Sequence, residues 1–596
     1  MRRMATFSGW WWTLVLILGL GQVRTAGAIS LDDEGKVTLR LRAYSQGAFR
    51  LGNSHGDTTP DVKAGQLVEQ RNFFNPELEA KLVSYTSWMK EAGLGFLAPD
   101  ALDFRLAGWG FYDGTYDYGP SQFHDQLGKT QAKFFEATDV SQVLRGTADQ
   151  NNARDIFESQ RRVNELYLSY SKGPAFLRIG RQAISWGESD TVALLDQNNP
   201  FDLTLSAPGL FEDVDEARIP LWTIRGSYSL FDTLGPLSSG FVEAYWVPGD
   251  IDTTTSIVPP PTWSPYSAPG PDPQSNPLLN ILNHPQFALV DHVPAPKMAN
   301  SRYGVRVQTV VARDYTVSAW FYTAFNQAPV PLIDSVAKPL PSSPACVVAA
   351  PGTPNPCKPI LSTELVHQLV PVMGVSNTFF FQPLNGIIRM EAEYFNREPA
   401  FIPSANLLIP QVNTRPALLT TACKNAQGNP TQCVGQFAVA GRLPHADFLR
   451  WELGYDRFFF FRPLNPTNSF VWVTAIVGSY NMDETSQKDF RFDGQQKPGT
   501  ASNPKPQPAD FVQVQKVEVF GQTHVQTDYL HGRLTPGITL IGYQRGTYAV
   551  NPTVTYRWTD SLLFDLNLIH IDGAFQSLGF FRDRDQISVR ATYQLN

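Results

Sequence analysis

The sequence predicts an all-β fold: a transmembrane antiparallel β-barrel of about 18 strands, with 16 as the fallback count. Three observations predict it. Apolar and polar residues alternate with period two along the chain, the polar face carries full charges of both signs, and the connections alternate between short and long. A soluble sandwich also alternates. Mid-strand charges exceed what a solvated sheet face requires, and segments of about ten residues match tilted strands crossing ~25–30 Å of hydrocarbon. Short turns on one side and long loops on the other are the pattern of an outer-membrane barrel, with periplasmic turns and extracellular loops.

The N-terminal segment, residues 1–28, reads as a secretory signal peptide. Arg2 and Arg3 give a positive start, "GWWWTLVLILGLG" (9–21) an apolar stretch, and Ala26-Gly27-Ala28 a small-residue cleavage pattern. That stretch falls short of the ~18–20 apolar residues of a spanning helix, which disfavours an uncleaved anchor. Ile29, not Cys, follows, which argues against a lipid anchor. Residues 29–596 then form a single barrel domain. Losing Arg2, Arg3 and Arg24 takes the formal charge from -7 to -10, an acidic balance that argues against a nucleic-acid partner. After the signal no run of 18 apolar residues occurs. Few residues precede the first expected strand, leaving no room for a plug domain.

The strands declare themselves by their faces. In "VTLRLRA" (37–43), Val37, Leu39, Leu41 and Ala43 oppose Thr38, Arg40 and Arg42. "IRMEAEYF" (388–395) sets Ile388, Met390, Ala392 and Tyr394 against Arg389, Glu391 and Glu393. "FLRWELGYD" (448–456) and "QISVRATYQLN" (586–596) repeat the pattern, the first with Arg450 and Glu452 on its polar face. Short connections are expected at 172–174, 232–238, 313–314, 383–385, 463–468, 535–537 and 559–561. Long loops are expected at 113–160, 187–217, 248–300, 327–366, 398–443 and 481–510.

"FFFQPLN" (379–385) and "FFFRPLN" (459–465) each bring consecutive phenylalanines to a short turn. Such runs suit the aromatic girdle at the periplasmic boundary, with rings on both faces of the wall. The Pro stops ladder pairing and the Asn tolerates a turn conformation. The four cysteines fall as two local pairs, Cys346 with Cys357 and Cys423 with Cys433, around Pro/Gly/Asn-rich stretches, which reads as two loop-stapling disulfides. Metal binding is the weaker alternative, since no His or acidic cluster accompanies them.

"RIGRQAISWGESD" (178–190), "NNPFD" (198–202) and "EARIP" (216–220) resemble the proteobacterial family catalogued as domain of unknown function 1302. The matching positions are Gly180, Arg181, Gln182, Trp186, Gly187, Glu188, Ser189, Asn199, Pro200, Glu216, Ala217 and Pro220. "GFYD" (110–113), "YGVRV" (303–307) and "RDRDQISVRATYQL" (582–595) look like further family positions. The resemblance implies an outer-membrane barrel and no particular activity. The chain departs from such barrels by ending Leu595-Asn596 instead of in an aromatic, which bears on insertion by the outer-membrane assembly machinery.

The loop after Trp186 is the expected functional element, folding into or across the lumen to narrow it. Glu188, Asp190, Glu212, Asp213, Asp215 and Glu216 would then make an acidic constriction facing Arg178 and Arg181, since charged rings select by sign and size. The competing reading is a structural clamp in which Glu188 pairs an arginine. A Ca²⁺ site from the 212–216 acids is weaker, because no recognised loop spacing is present. Arg389, Glu391, Glu393, Arg450 and Glu452, from strands joined by one loop, are expected to be lumenal neighbours that form a solute track or satisfy one another.

The Pro-rich loop 248–300, with "PPPTW" and a stretch "LLNILNHPQFALV" able to form a short helix, is a second lumen-facing candidate. Catalysis finds no support: "GESDT" (187–191) lacks the second glycine of a nucleophile elbow. No cofactor or metal is implied. The expected protein is a channel or transporter passing a small solute across the bacterial outer membrane, in contact with its lipids. Passage of a hydrophobic compound, or a structural or surface-interaction barrel, are the alternatives.

Overall fold

The computed structural model describes residues 28–52, 62–120, 133–137, 149–151, 158–187, 198–202, 210–211, 213–251, 287–292, 296–326, 330–337, 360–399, 437–438, 445–483, 516–544, 546–573, 577–581 and 584–595. The expected signal segment up to residue 27 lies outside the described residues. So do both expected disulfides, since Cys346, Cys357, Cys423 and Cys433 all fall outside them.

Eighteen strands form a closed antiparallel barrel in which chain neighbours are sheet neighbours. The first six are β1 (Val37–Arg50), β2 (Leu67–Lys81), β3 (Ala101–Asp113), β4 (Ser159–Lys172), β5 (Ala175–Gln182) and β6 (Leu221–Leu234). The next six are β7 (Leu237–Val247), β8 (Arg302–Val311), β9 (Tyr315–Phe325), β10 (Leu369–Phe381), β11 (Gly386–Pro399) and β12 (His445–Phe459). The last are β13 (Phe470–Asn481), β14 (Val517–Thr527), β15 (Leu534–Tyr543), β16 (Tyr548–Arg557), β17 (Leu562–Asp572) and β18 (Gln586–Leu595). β18 pairs back onto β1, from Arg50 opposite Gln586 to Leu41 opposite Leu595. Closure leaves no unpaired edge among these strands, so each finds its hydrogen-bonding partners within the wall.

The alternation in the sequence is the inside and outside of this wall. On β12, Leu449 and Leu453 are exposed outward while Glu452 is buried inward. On β11, Met390 is exposed, whereas Arg389, Glu391 and Glu393 are buried. An apolar exterior around a charged interior inverts the arrangement of a soluble protein and matches hydrocarbon as the outer solvent.

Most expected turns fall where the sequence places them. The two phenylalanine runs end β10 and β12 and lead into turns on the short-connection side. Phe380, Phe458 and Phe460 are exposed, whereas Phe459 stacks on Phe470 at 5.3 Å. The shared Pro-Leu-Asn works differently in each. Asn385 adopts the left-handed conformation at φ 47°. Asn465 is buried, donates to Thr527 Oγ1 (2.8 Å) and Asp528 O (2.9 Å), and accepts from the Asn468 amide (2.9 Å).

The expected turn at 535–537 is a correction. Thr535, Pro536 and Gly537 lie inside β15, and the reversal is made by Leu530, His531 and Gly532, all at positive φ. The β14 ladder begins at Gly537, so Pro536 leaves no rung unmade on that side. Two connections break the short–long rule. Residues 82–100 make a long link on the short side, and 544–547 a tight one on the long side.

At the long-loop end, six short strands from four loops form a second sheet. Phe287–His292 lies centrally, parallel to both Ile360–Val366 and Lys133–Ala137. Parallel pairing is possible because these segments belong to different loops, with barrel strands as the crossover. The stretch expected to form a helix in loop 248–300 therefore ends as a strand.

Candidate functional site

The connection between β5 and β6 leaves Gln182 and returns at Leu221. Its two limbs are zipped together. Asn199 accepts from the Ile184 amide (2.8 Å) and donates to Ile219 O (2.9 Å). Asp202 N donates to Ala217 O (2.6 Å), and Ile219 N to Pro200 O (2.8 Å). A loop without strand partners must satisfy its backbone this way when it leaves water.

This zipped loop meets the inner wall at three arcs of the ring. On β7–β9, Trp186 is buried against Tyr245, with ring centroids 4.9 Å apart, and against Tyr322 at 6.5 Å. Its Nε1 donates to the Glu243 carboxylate, which also takes Arg225 at 2.7 Å and Arg306 at 3.6 Å. Gly304 leaves room for the indole: a Cβ there would sit 2.9 Å from the ring. Gly187 likewise lies against β11, where a Cβ would stand 3.0 Å from Glu391 Oε1.

On β1–β4, Phe201 and Ala217 pack among Tyr44, Phe73, Trp109 and Phe111. Glu216 accepts from the Tyr44 hydroxyl (2.7 Å) and pairs with Arg42 (2.9 Å). Arg162 lies 3.8 Å over the Trp109 ring and reaches Asp202 Oδ2 and Glu216 O, each at 3.1 Å. Asp213 caps the turn Val214–Ala217 by accepting from the Asp215 amide (3.2 Å). At the third arc, Leu210 and Phe211 pack on Ala549, Ile569 and Ile571 of β16 and β17. A segment held on β1–β4, β7–β9 and β16–β17 of a closed ring crosses its lumen.

Between this loop and the β1–β4 wall lies a cavity of about 650 Å³. Arg40, Arg42, Arg105, Glu77, Glu165 and Glu216 are among its lining residues. Arg105 organises one side, pairing with Glu77 (3.0 Å), Glu165 (2.5 Å) and Glu79. The lining thus offers both signs of charge within one small volume.

The expected site residues divide. Arg178 shares a strand with outward Leu177 and Ile179 and points to the other face, where Nε donates to Ser169 Oγ (2.9 Å) and the guanidinium lies 4.1 Å over Tyr167. Arg181 falls on the outward face by register, opposite Trp222 and Leu166. Gln182 is fully buried and donates to Thr223 O (3.1 Å). Glu188, Asp190 and Glu212 lie outside the described residues. Asp213 and Glu216 pair with Arg42, not with Arg178 or Arg181. Asp215 lines the cavity beside them. For Asp213 and Glu216 the partner is Arg42 because the loop swings past its own strand and docks on the wall beyond it.

The β11–β12 charges are neighbours in register: Glu391 faces Glu452, and Glu393 faces Arg450. Local partners hold them. Trp320 donates to Glu393 (2.7 Å), Arg389 pairs with Asp456 (2.9 Å), and Arg450 pairs with Glu398 (2.6 Å). Sequence reasoning missed Arg42, Tyr44, Arg162 and Glu243 as loop anchors. For Arg42 the signal was its polar-face position in β1; the other three carry no local mark.

A model of the family described as "Protein of unknown function (DUF1302)" matches residues 14–595. The chain belongs to this family. The expected resemblance is therefore met over nearly the whole length, and the family positions Gln182, Trp186, Gly187, Asn199, Pro200, Glu216 and Ala217 are those that zip and anchor the loop. No curated protein matches the chain. Among solved structures, OpdK, an outer membrane protein of Pseudomonas aeruginosa, is 8% identical and has a TM-score of 0.39, covering 94% of this chain and 98% of its own. OccAB4 of Acinetobacter baumannii is 7% identical with a TM-score of 0.41, covering 94% and 98%. Wzi of Escherichia coli, described as a carbohydrate-binding β-barrel involved in group 1 capsule assembly, is 8% identical with a TM-score of 0.36, covering 94% and 84%. Such distant likenesses say nothing of what this member of the family binds or passes.

Proposed function

We propose that this barrel is a channel or transporter in the bacterial outer membrane, passing a small polar solute, with the loop between β5 and β6 as its constriction. The observation that carries this reading is the mixed-charge cavity of about 650 Å³ beneath a loop anchored on three arcs of the wall. Arginines and carboxylates spaced around one volume suit a solute with both donor and acceptor or charged groups, because both signs line the cavity and neither dominates. The reading assigns no catalytic step to the chain.

The apolar inner residues do not favour a hydrophobic cargo. Trp186 and Ile184 already fill the space against Tyr245, Trp320, Tyr322 and Val372. A surface-interaction role is the second reading, and the sheet built from four loops at the long-loop end supports it.

Swelling of vesicles containing the refolded protein tests the proposal. The expected result is faster swelling with a zwitterionic amino acid or a small sugar than with an apolar-substituted solute of equal size. Equal rates with and without protein for every polar solute would overturn it and leave the surface role.

A further inference from the structure

The connection from β2 to β3, residues 82–100, is out of scale with the turns beside it and exposes apolar side chains. Tyr85 is 67% exposed, Trp88 55% and Phe96 70%, with Leu94 and Leu97 also exposed. An exposed cluster of this kind, on a segment with only two short helical turns, marks a contact surface.

Its position identifies the contact. The Tyr170 hydroxyl donates to Leu97 O (2.9 Å), and Lys172 Nζ reaches Gly95 O (3.3 Å) and Ala98 O. Tyr170 and Lys172 share a strand face with exposed Leu168 on β4, and the register sets Tyr170 opposite Leu177 and Leu168 opposite Ile179. Both anchors therefore leave the outer face of the wall. Asp100 Oδ2 accepts from the Gly173 amide (2.7 Å), fixing the segment to the tip of the β4–β5 hairpin. Residues 95–98 lie outside the barrel at its short-turn rim, continuous with the lipid-facing surface.

We infer that residues 83–97 are a membrane-interface collar whose partner is the phospholipid of the periplasmic leaflet. Trp and Tyr suit the headgroup boundary because each has an apolar body and a polar edge. Leu94, Phe96 and Leu97 supply exposed apolar area for the acyl boundary, and exposed Lys90 supplies a cation for lipid phosphate. The collar pins one side of the barrel at a fixed depth.

Photo-crosslinking of the full-length protein tests this. The photoreactive analogue p-benzoylphenylalanine replaces Phe96 or, separately, Trp88, and Asp314 in the β8–β9 turn is the control. The variants are reconstituted in phosphatidylethanolamine/phosphatidylglycerol vesicles and also expressed in cells. Aromatic replaces aromatic at both test positions, and heat-modifiable migration on gels confirms folding of each variant. The expected result is a mass increase of one phospholipid at positions 88 and 96 but not at 314, in vesicles and in cells. Absence of lipid adducts at 88 and 96 in vesicles would overturn the inference. So would a protein adduct that replaces the lipid one in cells, since the surface would then serve a periplasmic partner.

Discussion

Tyr44 and Glu216 stand 172 positions apart, yet the phenol donates a 2.7 Å hydrogen bond to the carboxylate inside the barrel. One residue belongs to the first barrel strand and the other to the loop after the fifth. That contact, with the Arg42 pair beside it, holds the loop on one wall of the lumen. Tyr44→Phe removes a hydrogen bond to a charged acceptor, and the loop contact should weaken by about 1.5–3 kcal/mol. Hydrogen exchange at the Ala217 and Arg218 amides is expected to rise, with exchange in β11 unchanged.

The opposite anchor is tested through Trp186. Trp186→Ala empties a packed site and deprives Glu243 of a donor, at a local cost of about 3–5 kcal/mol. Gly304→Ala should act similarly without touching the loop, because its new methyl would crowd the indole and Tyr245. Both variants are expected to keep heat-modifiable migration and to raise vesicle swelling rates. An unchanged rate in both would mean this anchor does not limit passage.

The two Pro-Leu-Asn turns should respond differently to the same substitution. Asn465→Ala strips a buried hydrogen-bonding hub and should cost about 2–3 kcal/mol. At Asn385, whose φ is 47°, Asn385→Gly relieves a left-handed conformation and should be neutral or slightly stabilising. The temperature at which the folded gel band is lost compares them.

Acid should loosen the chain just before β1. The Val37 amide, and then that of Lys36, donates to the Asp32 carboxylate and holds its pKa below the ordinary value of 3.8. A lowered folded pKa means that the stabilisation is present above 3.8 and lost as pH falls through the lower folded value. Protection of the Lys36 and Val37 amides should decline in that window. Asp32→Asn should remove the pH dependence.

The wall was readable because period-two alternation is local: Met390 and Glu391 declare their faces without knowledge of any neighbour. Closure and strand count followed from turn chemistry repeated along the chain. The 535–537 turn misled because Pro-Gly is a turn signal, whereas Leu530 and His531 at positive φ carry no mark in composition. The candidate site was half legible. Trp186 and Glu216 stood out, but their partners Glu243 and Tyr44 are set by where the loop docks, a long-range packing outcome. Mutual spacing in sequence suggested Arg178 and Arg181 as partners of the acids, whereas docking on β1 gives Asp213 and Glu216 Arg42.

Under the proposed function, the loop between β5 and β6 sets the passage through the lumen. Single-channel conductance in a planar bilayer, before and after deletion of residues 187–217, tests it most directly. A passage set by this loop gives small or silent conductance in the intact protein and a large, steady conductance after deletion. Identical traces from both, with the deleted protein shown to be folded, would contradict it.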